Sequence, residues 1–155
     1  MKPKRALSAR AAELGLPLIE DNPYGDLWFD APPPLPLTAR NPDGCIYLGS
    51  FSKVLAPGLR LGYLIAPEAL HAKLVQAKQA ADLHTPSFSQ RIVHEAVQGG
   101  FLDRHIPEIR KLYGDQCELM LSALQRHFPA EAKWNRPAGG MFIWVTLPEG
   151  VEHVD

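Results

Sequence analysis

A polar turn between two apolar segments is the feature that most constrains the fold of this 155-residue chain. Residues 45–48 form the first apolar run and residues 61–66 the second, and both runs predict strands. Pro57-Gly58 forces a turn between them. Polar groups presented where a strand ends are the usual location of chemistry in α/β proteins. The sequence therefore predicts a functional site in this turn.

Four polar residues of the turn indicate what the site can bind. Lys53, next to apolar strands, is expected to be partly desolvated, which disfavours its ammonium form and favours nucleophilic attack on a carbonyl. Ser50, Ser52 and Arg60 can jointly hold a phosphate, the arginine by a two-pronged contact. Each residue alone also fits an ordinary charged surface loop. Together they favour pyridoxal phosphate, which needs an anchor for its aldehyde and another for its phosphate.

The turn also carries a family resemblance. Residues 50–63, Ser-Phe-Ser-Lys-x3-Pro-Gly-x-Arg-x-Gly-Tyr, resemble the lysine segment of fold-type I pyridoxal-phosphate aminotransferases. The closest likeness is to the class I/II branch, with its 2-aminoadipate-type aminotransferases and the aminotransferase-like domains of MocR regulators. The resemblance implies that Lys53 forms the Schiff base with the cofactor. It also implies that Ser50, Ser52 and Arg60 contact the cofactor phosphate.

A second motif precedes the lysine turn. A predicted helix over residues 4–14 leads to a short predicted strand over 16–20, and Asp21 follows at its carboxyl end. Asp-x-Pro-Tyr-Gly resembles the family segment whose aspartate pairs with the pyridine nitrogen and whose tyrosine, here Tyr24, bonds the phenolic oxygen. A carboxylate beside that nitrogen keeps the ring protonated and electron-withdrawing. The alternative is that Asp21 only opens an Asx turn.

The second half of the chain has a different character. Residues 101–128 predict a long helix, kinked near Pro107, and residues 141–145 predict a strand. Residues 137–144, Pro-x-Gly-Gly-Met-Phe-x-Trp, resemble a small-domain segment of the same aminotransferases, and a plain hairpin turn before a core strand is an equal alternative. The resemblance also implies that the proline-rich connector over residues 27–43 lies near the substrate entrance.

The resemblance implies an α/β fold, namely part of the large-domain sheet of the aspartate aminotransferase-like fold plus part of the small α+β domain. We expect residues 1–100 to belong to the cofactor-binding domain and residues 101–155 to begin the small domain. The implied reaction transfers an amino group between an amino acid and a 2-oxo acid. The alternatives are an effector-sensing domain of a MocR-type regulator and an inactive fragment.

Composition bears on partners and location. The net charge of −1 gives no electrostatic case for nucleic acid or an anionic membrane, and no apolar run approaches a bilayer span. The two cysteines form no metal or redox pair, and the histidines lack zinc-site spacing, so we expect no metal. We expect a cytoplasmic protein that is a homodimer at full length.

The resemblance covers only a middle portion of the family's usual length. The family's phosphate-binding glycine loop, the aromatic ring stacked on the pyridine and the arginine that binds the substrate α-carboxylate have no match here. Arg136 does not occupy the place of that arginine. The chain is therefore expected to be a fragment, a truncated gene product or an isolated piece of a larger enzyme.

Overall fold

The computed structural model describes residues 2–150, and side chains from Lys4 onward. One helix precedes three strands, three helices follow, and two short strands come last. Three single 3₁₀ turns, Pro57–Leu59, Glu68–Leu70 and Gln98–Gly100, join longer elements. In chain order, the longer elements are α1 (Lys2–Glu13), β1 (Leu18–Asp21), β2 (Cys45–Ser50), β3 (Gly62–Ile65), α2 (His71–Asp82), α3 (Ser87–Val97), α4 (Phe101–His127), β4 (Lys133–Trp134) and β5 (Val145–Thr146).

A three-stranded sheet, in the order β1-β2-β3, positions the lysine turn. Strand β1 is parallel to β2, with Asp21 opposite Leu48. Strand β3 is antiparallel to β2, with Ser50 opposite Gly62. The three predicted strands are confirmed with slightly shifted ends, and the turn joins β2 directly to β3.

Helix α1 is fastened to the sheet through one acidic side chain. Ala11 and Ser8 are buried on the inner face of the helix. At its first turn, Lys4 forms an ion pair with Glu20 of β1. The second carboxylate oxygen of Glu20 accepts a hydrogen bond from the Leu37 amide at 2.6 Å. Glu20 therefore joins the helix, the sheet and the proline-rich connector.

Helix α4 runs unbroken from Phe101 to His127 with Pro107 inside it. Leu121 and Leu124 are its buried residues, as the apolar spacing predicts. The same helical spacing predicts that Leu112 and Met120 are buried with them, and this prediction is wrong, because their exposed fractions are 53% and 54%.

The predicted strand over residues 141–145 is mostly absent. Only Val145 enters β5, which pairs with β4. The preceding backbone pairs with the connector: Gly139 forms a bridge with Trp28, and the Phe29 amide donates to the Ala138 carbonyl at 2.9 Å. These bonds draw the chain away from β4, which leaves residues 141–143 without a strand partner.

Within the described residues, no helix is both long enough and apolar enough to cross a bilayer.

Candidate functional site

Two strand ends bring the first predicted site residues to one edge of the sheet. Because β1 and β2 are parallel, their carboxyl ends lie together. Asp21 is the last residue of β1 and Ser50 the last residue of β2. Asp21 is exposed, so its carboxylate is available to a ligand. The Asn22 amide donates to the Leu48 carbonyl at 3.1 Å, which continues the parallel pairing one residue beyond β1.

Lys53 lies over the ring of Tyr24. Its Nζ is 5.7 Å from the ring centroid, within the range of a cation–π contact. Both residues are half-buried. The amine is therefore directed toward the segment that follows β1 and not outward into solvent. The contact joins the lysine turn to the Asp-x-Pro-Tyr-Gly motif.

The hydroxyl residues and the arginine lie where the β2–β3 pair opens. Ser50 Oγ accepts a hydrogen bond from the Ser52 amide at 3.1 Å, which shapes the start of the turn. The Phe51 amide donates to the Leu61 carbonyl at 3.0 Å, which extends the antiparallel register by one step beyond the strands. Ser50 and Ser52 flank Phe51, and Arg60 directly precedes Leu61. The three predicted phosphate contacts therefore share one end of the hairpin.

Arg60 has an unusual backbone. Its φ of 51° is left-handed, which is uncommon for a residue other than glycine and recurs at functional sites. Its amide donates to the Pro57 carbonyl at 3.3 Å, and so does its guanidinium Nη1 at 3.4 Å. The side chain is exposed, so most of its donors face solvent and remain available to an anion.

Aromatic residues support the hairpin beneath the turn. Gly49 faces Tyr63 so closely that a Cβ on residue 49 would lie 2.6 Å from the tyrosine oxygen. The Tyr63 ring also packs on Phe51 with centroids 5.4 Å apart. Desolvation raises the pKa of both Tyr63 and its neighbour Tyr47. Any larger residue at position 49 would displace the Tyr63 ring, which supports the lysine turn.

One contact from the second half of the chain was missed by sequence reasoning. The Phe142 ring meets Tyr24 edge-on, with centroids 5.6 Å apart. The Gly140 amide donates to the Leu27 carbonyl at 2.6 Å, just after the turn that holds Tyr24. The paired glycines were a signal for a close backbone approach, but nothing in the sequence identified the connector as its partner.

An apolar cavity of about 350 Å³ adjoins this contact between α4 and residues 140–145. Phe142, Phe29, Met120 and Ile143 are among its lining residues. The lining is too apolar to hold a phosphate. In the part of the chain that the structure describes, no three His, Cys, Asp or Glu side chains cluster as metal ligands.

The family model for class I and II aminotransferases matches residues 4–153. The chain belongs to this family. This aminotransferase chain is 45% identical over 152 residues to aromatic-amino-acid aminotransferase 1 of Thermococcus litoralis. The match covers 97% of this chain and 36% of that protein.

Two further proteins are similar to this chain over nearly its whole length. The crystal structure of LysN, the α-aminoadipate aminotransferase of Thermus thermophilus bound to N-(5′-phosphopyridoxyl)-L-leucine, superposes with a TM-score of 0.87 at 46% identity, over 95% of this chain and 39% of LysN. An uncharacterized HTH-type transcriptional regulator of Bacillus subtilis, YdfD, is 37% identical over 147 residues, covering 94% of this chain and 30% of the regulator. The chain thus spans little more than a third of the aminotransferases it matches, as its motifs predicted.

The predicted fold is confirmed by these comparisons. The described elements are a partial α/β unit of the pyridoxal-phosphate aminotransferase fold.

Proposed function

We propose that the protein is a pyridoxal-phosphate-dependent aminotransferase that moves an amino group between an amino acid and a 2-oxo acid. The observation that carries the proposal is the position of Lys53, with its amine half-buried over Tyr24 at the sheet edge where Asp21 and Ser50 end their strands. Family membership and the ligand of LysN support the cofactor assignment.

The chemistry of these side chains fits the cofactor. Pyridoxal phosphate supplies an aldehyde for the substrate amine and a pyridine ring that withdraws electrons from the substrate Cα. Lys53 provides the amine that bonds to the aldehyde. Ser50, Ser52 and Arg60 provide hydroxyl and guanidinium donors for the phosphate, and Arg60 keeps donors free for that contact.

Each remaining residue has a role in the proposed mechanism. With cofactor and substrate bound, Lys53 would take a proton from the substrate Cα as general base and deliver it to C4′ of the cofactor as general acid. The Asp21 carboxylate pairs with the protonated pyridine nitrogen and holds its charge. The Tyr24 hydroxyl donates to the phenolic oxygen of the ring. The cation–π contact with the Tyr24 ring holds the Lys53 amine beside that ring.

Borohydride trapping tests the role of Lys53. We expect reduction of the protein with bound pyridoxal phosphate to leave a phosphopyridoxyl label on the peptide that contains Lys53. Lys53→Ala should lose that label and the visible absorbance band. The matched control is Lys78→Ala, which removes an exposed lysine paired with Asp82 and should keep both signals. A label on another lysine would contradict the assignment.

The wider organisation belongs to the same proposal. We assign residues 1–100 to the cofactor-binding domain and residues 101–155 to the start of a smaller one. The whole protein acts as a cytoplasmic homodimer without nucleic acid. Large apolar side chains left exposed, such as Phe88 at 78% and Ile65 at 56%, supply surface for contacts with other parts of that assembly. Analytical ultracentrifugation of the full-length protein tests the dimer.

A regulatory role is the second candidate, because YdfD and other HTH-type regulators match the chain. Such a domain would bind the same cofactor through Lys53 and sense an amino acid without turning it over. Formation of the 2-oxo acid from an added amino acid, followed by mass spectrometry, separates the two. Turnover that depends on Asp21 supports the aminotransferase, whereas a spectral change without product supports the regulator.

A further inference from the structure

We propose that Arg110 of α4 is a positioning residue that fixes the Tyr24 turn over Lys53; its effect on the bound cofactor rests on the proposed function. Arg110 lies 84 positions after Asp26 in sequence, yet its Nε donates to the Asp26 carbonyl at 2.6 Å. The same guanidinium covers the Trp28 ring, with 3.9 Å between its central carbon and the ring centroid. One side chain therefore makes two contacts with the connector just beyond Tyr24.

The turn that Arg110 contacts begins at Tyr24. The Leu27 amide donates to the Tyr24 carbonyl at 2.9 Å and closes residues 24–27 into a tight turn. The Asp26 carbonyl lies inside that turn, so the bond from Arg110 restrains the loop itself. Because Tyr24 opens the turn, a shift of the Asp26 peptide is transmitted to its backbone. The 5.7 Å separation of Lys53 Nζ from the Tyr24 ring depends on that position.

The connector is also held from its opposite side. The Leu27 carbonyl accepts from the Gly140 amide at 2.6 Å, and the Phe29 amide donates to the Ala138 carbonyl at 2.9 Å. The backbone bonds of residues 138–140 fix residues 27–29, and Arg110 fixes Asp26. Arg110 thus adds a side-chain contact at Asp26, which lies between Tyr24 and the residues held by these backbone bonds.

The chemistry of the two contacts requires arginine. The planar guanidinium can stack on an aromatic face while its edge donates in a fixed direction. A lysine ammonium offers a point charge on a flexible stem and cannot keep both contacts in that geometry. Arg110 is half-buried, and stacking on Trp28 limits its alternative rotamers.

Hydrogen exchange on the cofactor-free protein tests the restraint directly. We expect Arg110→Ala to speed amide exchange at Leu27 by about tenfold, because turn opening no longer breaks a charge-assisted bond. The matched control is Lys111→Ala, which removes the next charge on α4, a lysine paired with Asp115, and should leave that exchange unchanged. Unchanged exchange in Arg110→Ala would overturn the proposal, whether or not the protein binds the cofactor.

A spectroscopic cycle tests the effect at the site. With pyridoxal phosphate bound, Arg110→Ala should move the pH midpoint of the visible band by about half a unit, in the direction caused by Tyr24→Phe. The double variant should show no further shift, because both changes act through one hydroxyl. Additive shifts would overturn the proposal.

If Arg110→Ala fails to fold, Arg110→Lys should show the same shift, and a wild-type midpoint in that variant would contradict the need for a guanidinium. Failure of Lys53 trapping in the wild type would instead contradict the proposed function.

Discussion

The ring of Phe142 meets the ring of Tyr24 edge-on, with 5.6 Å between centroids and 87° between ring planes. Phe142 is otherwise largely exposed, at 69%, so this pair is its main packing role. The contact joins Phe142, two residues after the paired glycines Gly139 and Gly140, to the turn beside Lys53. The Tyr24 turn is therefore supported from the second half of the chain by a ring as well as by Arg110.

We expect Phe142→Ala to lower the free energy of unfolding by about 0.5–1.5 kcal/mol, the range for an aromatic pair. Urea denaturation measures the loss. Trp144→Ala is the control, because that ring is 76% exposed and its removal should change stability by less than about 0.5 kcal/mol. Equal losses of stability in the two variants would show that the contact of Phe142 with Tyr24 does not stabilise the fold.

Gly139→Ala should destabilise the protein by about 1–3 kcal/mol, because the added methyl overpacks a backbone contact. A Cβ at residue 139 would overlap the Leu27 carbonyl oxygen and lie 2.7 Å from the Trp28 Cα. Neither group is a flexible side chain that can move aside. Thermal unfolding followed by circular dichroism measures the change.

The control for that substitution is Gly58→Ala. A Cβ there meets no atom within 4 Å, so steric overlap is absent. Its unfolding temperature should stay within a few degrees of the wild type. A similar drop in both variants would mean that loss of glycine, and not contact with the connector, explains the effect.

Glu20→Ala should lower the free energy of unfolding by about 2–3 kcal/mol, because it leaves the Leu37 amide and the Lys4 ammonium without their acceptor. The Glu20 side chain is only 9% exposed, so water replaces these bonds poorly. Chemical denaturation gives the loss. Glu13→Ala breaks an exposed pair with Arg10 and should cost no more than about 0.5 kcal/mol. A comparable cost for Glu13 would argue against the anchoring role of Glu20.

Stability should fall in alkaline solution through Tyr47 and Tyr63. Desolvation raises the folded pKa of both phenols above the unfolded value of about 10. The two tyrosines contribute their full share to the free energy of unfolding below that unfolded pKa. That share is lost as pH rises toward the folded pKa, because the unfolded chain releases these protons first. Denaturation across pH 8–11 should show a shallower decline in Tyr47→Phe. An identical decline would contradict the burial effect.

Local pattern predicted the strands and the lysine turn, and the resemblance of short motifs to a known family supplied the residues of the candidate site. Apolar runs around Pro57-Gly58 predicted β2 and β3, and Asp21, Tyr24, Ser50, Ser52, Lys53 and Arg60 were all chosen from motifs. These features depend on neighbours in sequence, because turn chemistry and strand periodicity are local properties. The structure places those six residues along one edge of the sheet or in the turns beside it.

Only the tertiary structure decided which distant groups support the site. Residues 141–143 have an apolar pattern that favours a strand, yet residues 138 and 139 pair with the connector instead, and β5 starts only at Val145. The contacts of Arg110 with Asp26 and Trp28, and of Phe142 with Tyr24, join residues far apart in the chain. Such pairings depend on how the elements pack, and no periodicity within a single segment encodes that packing.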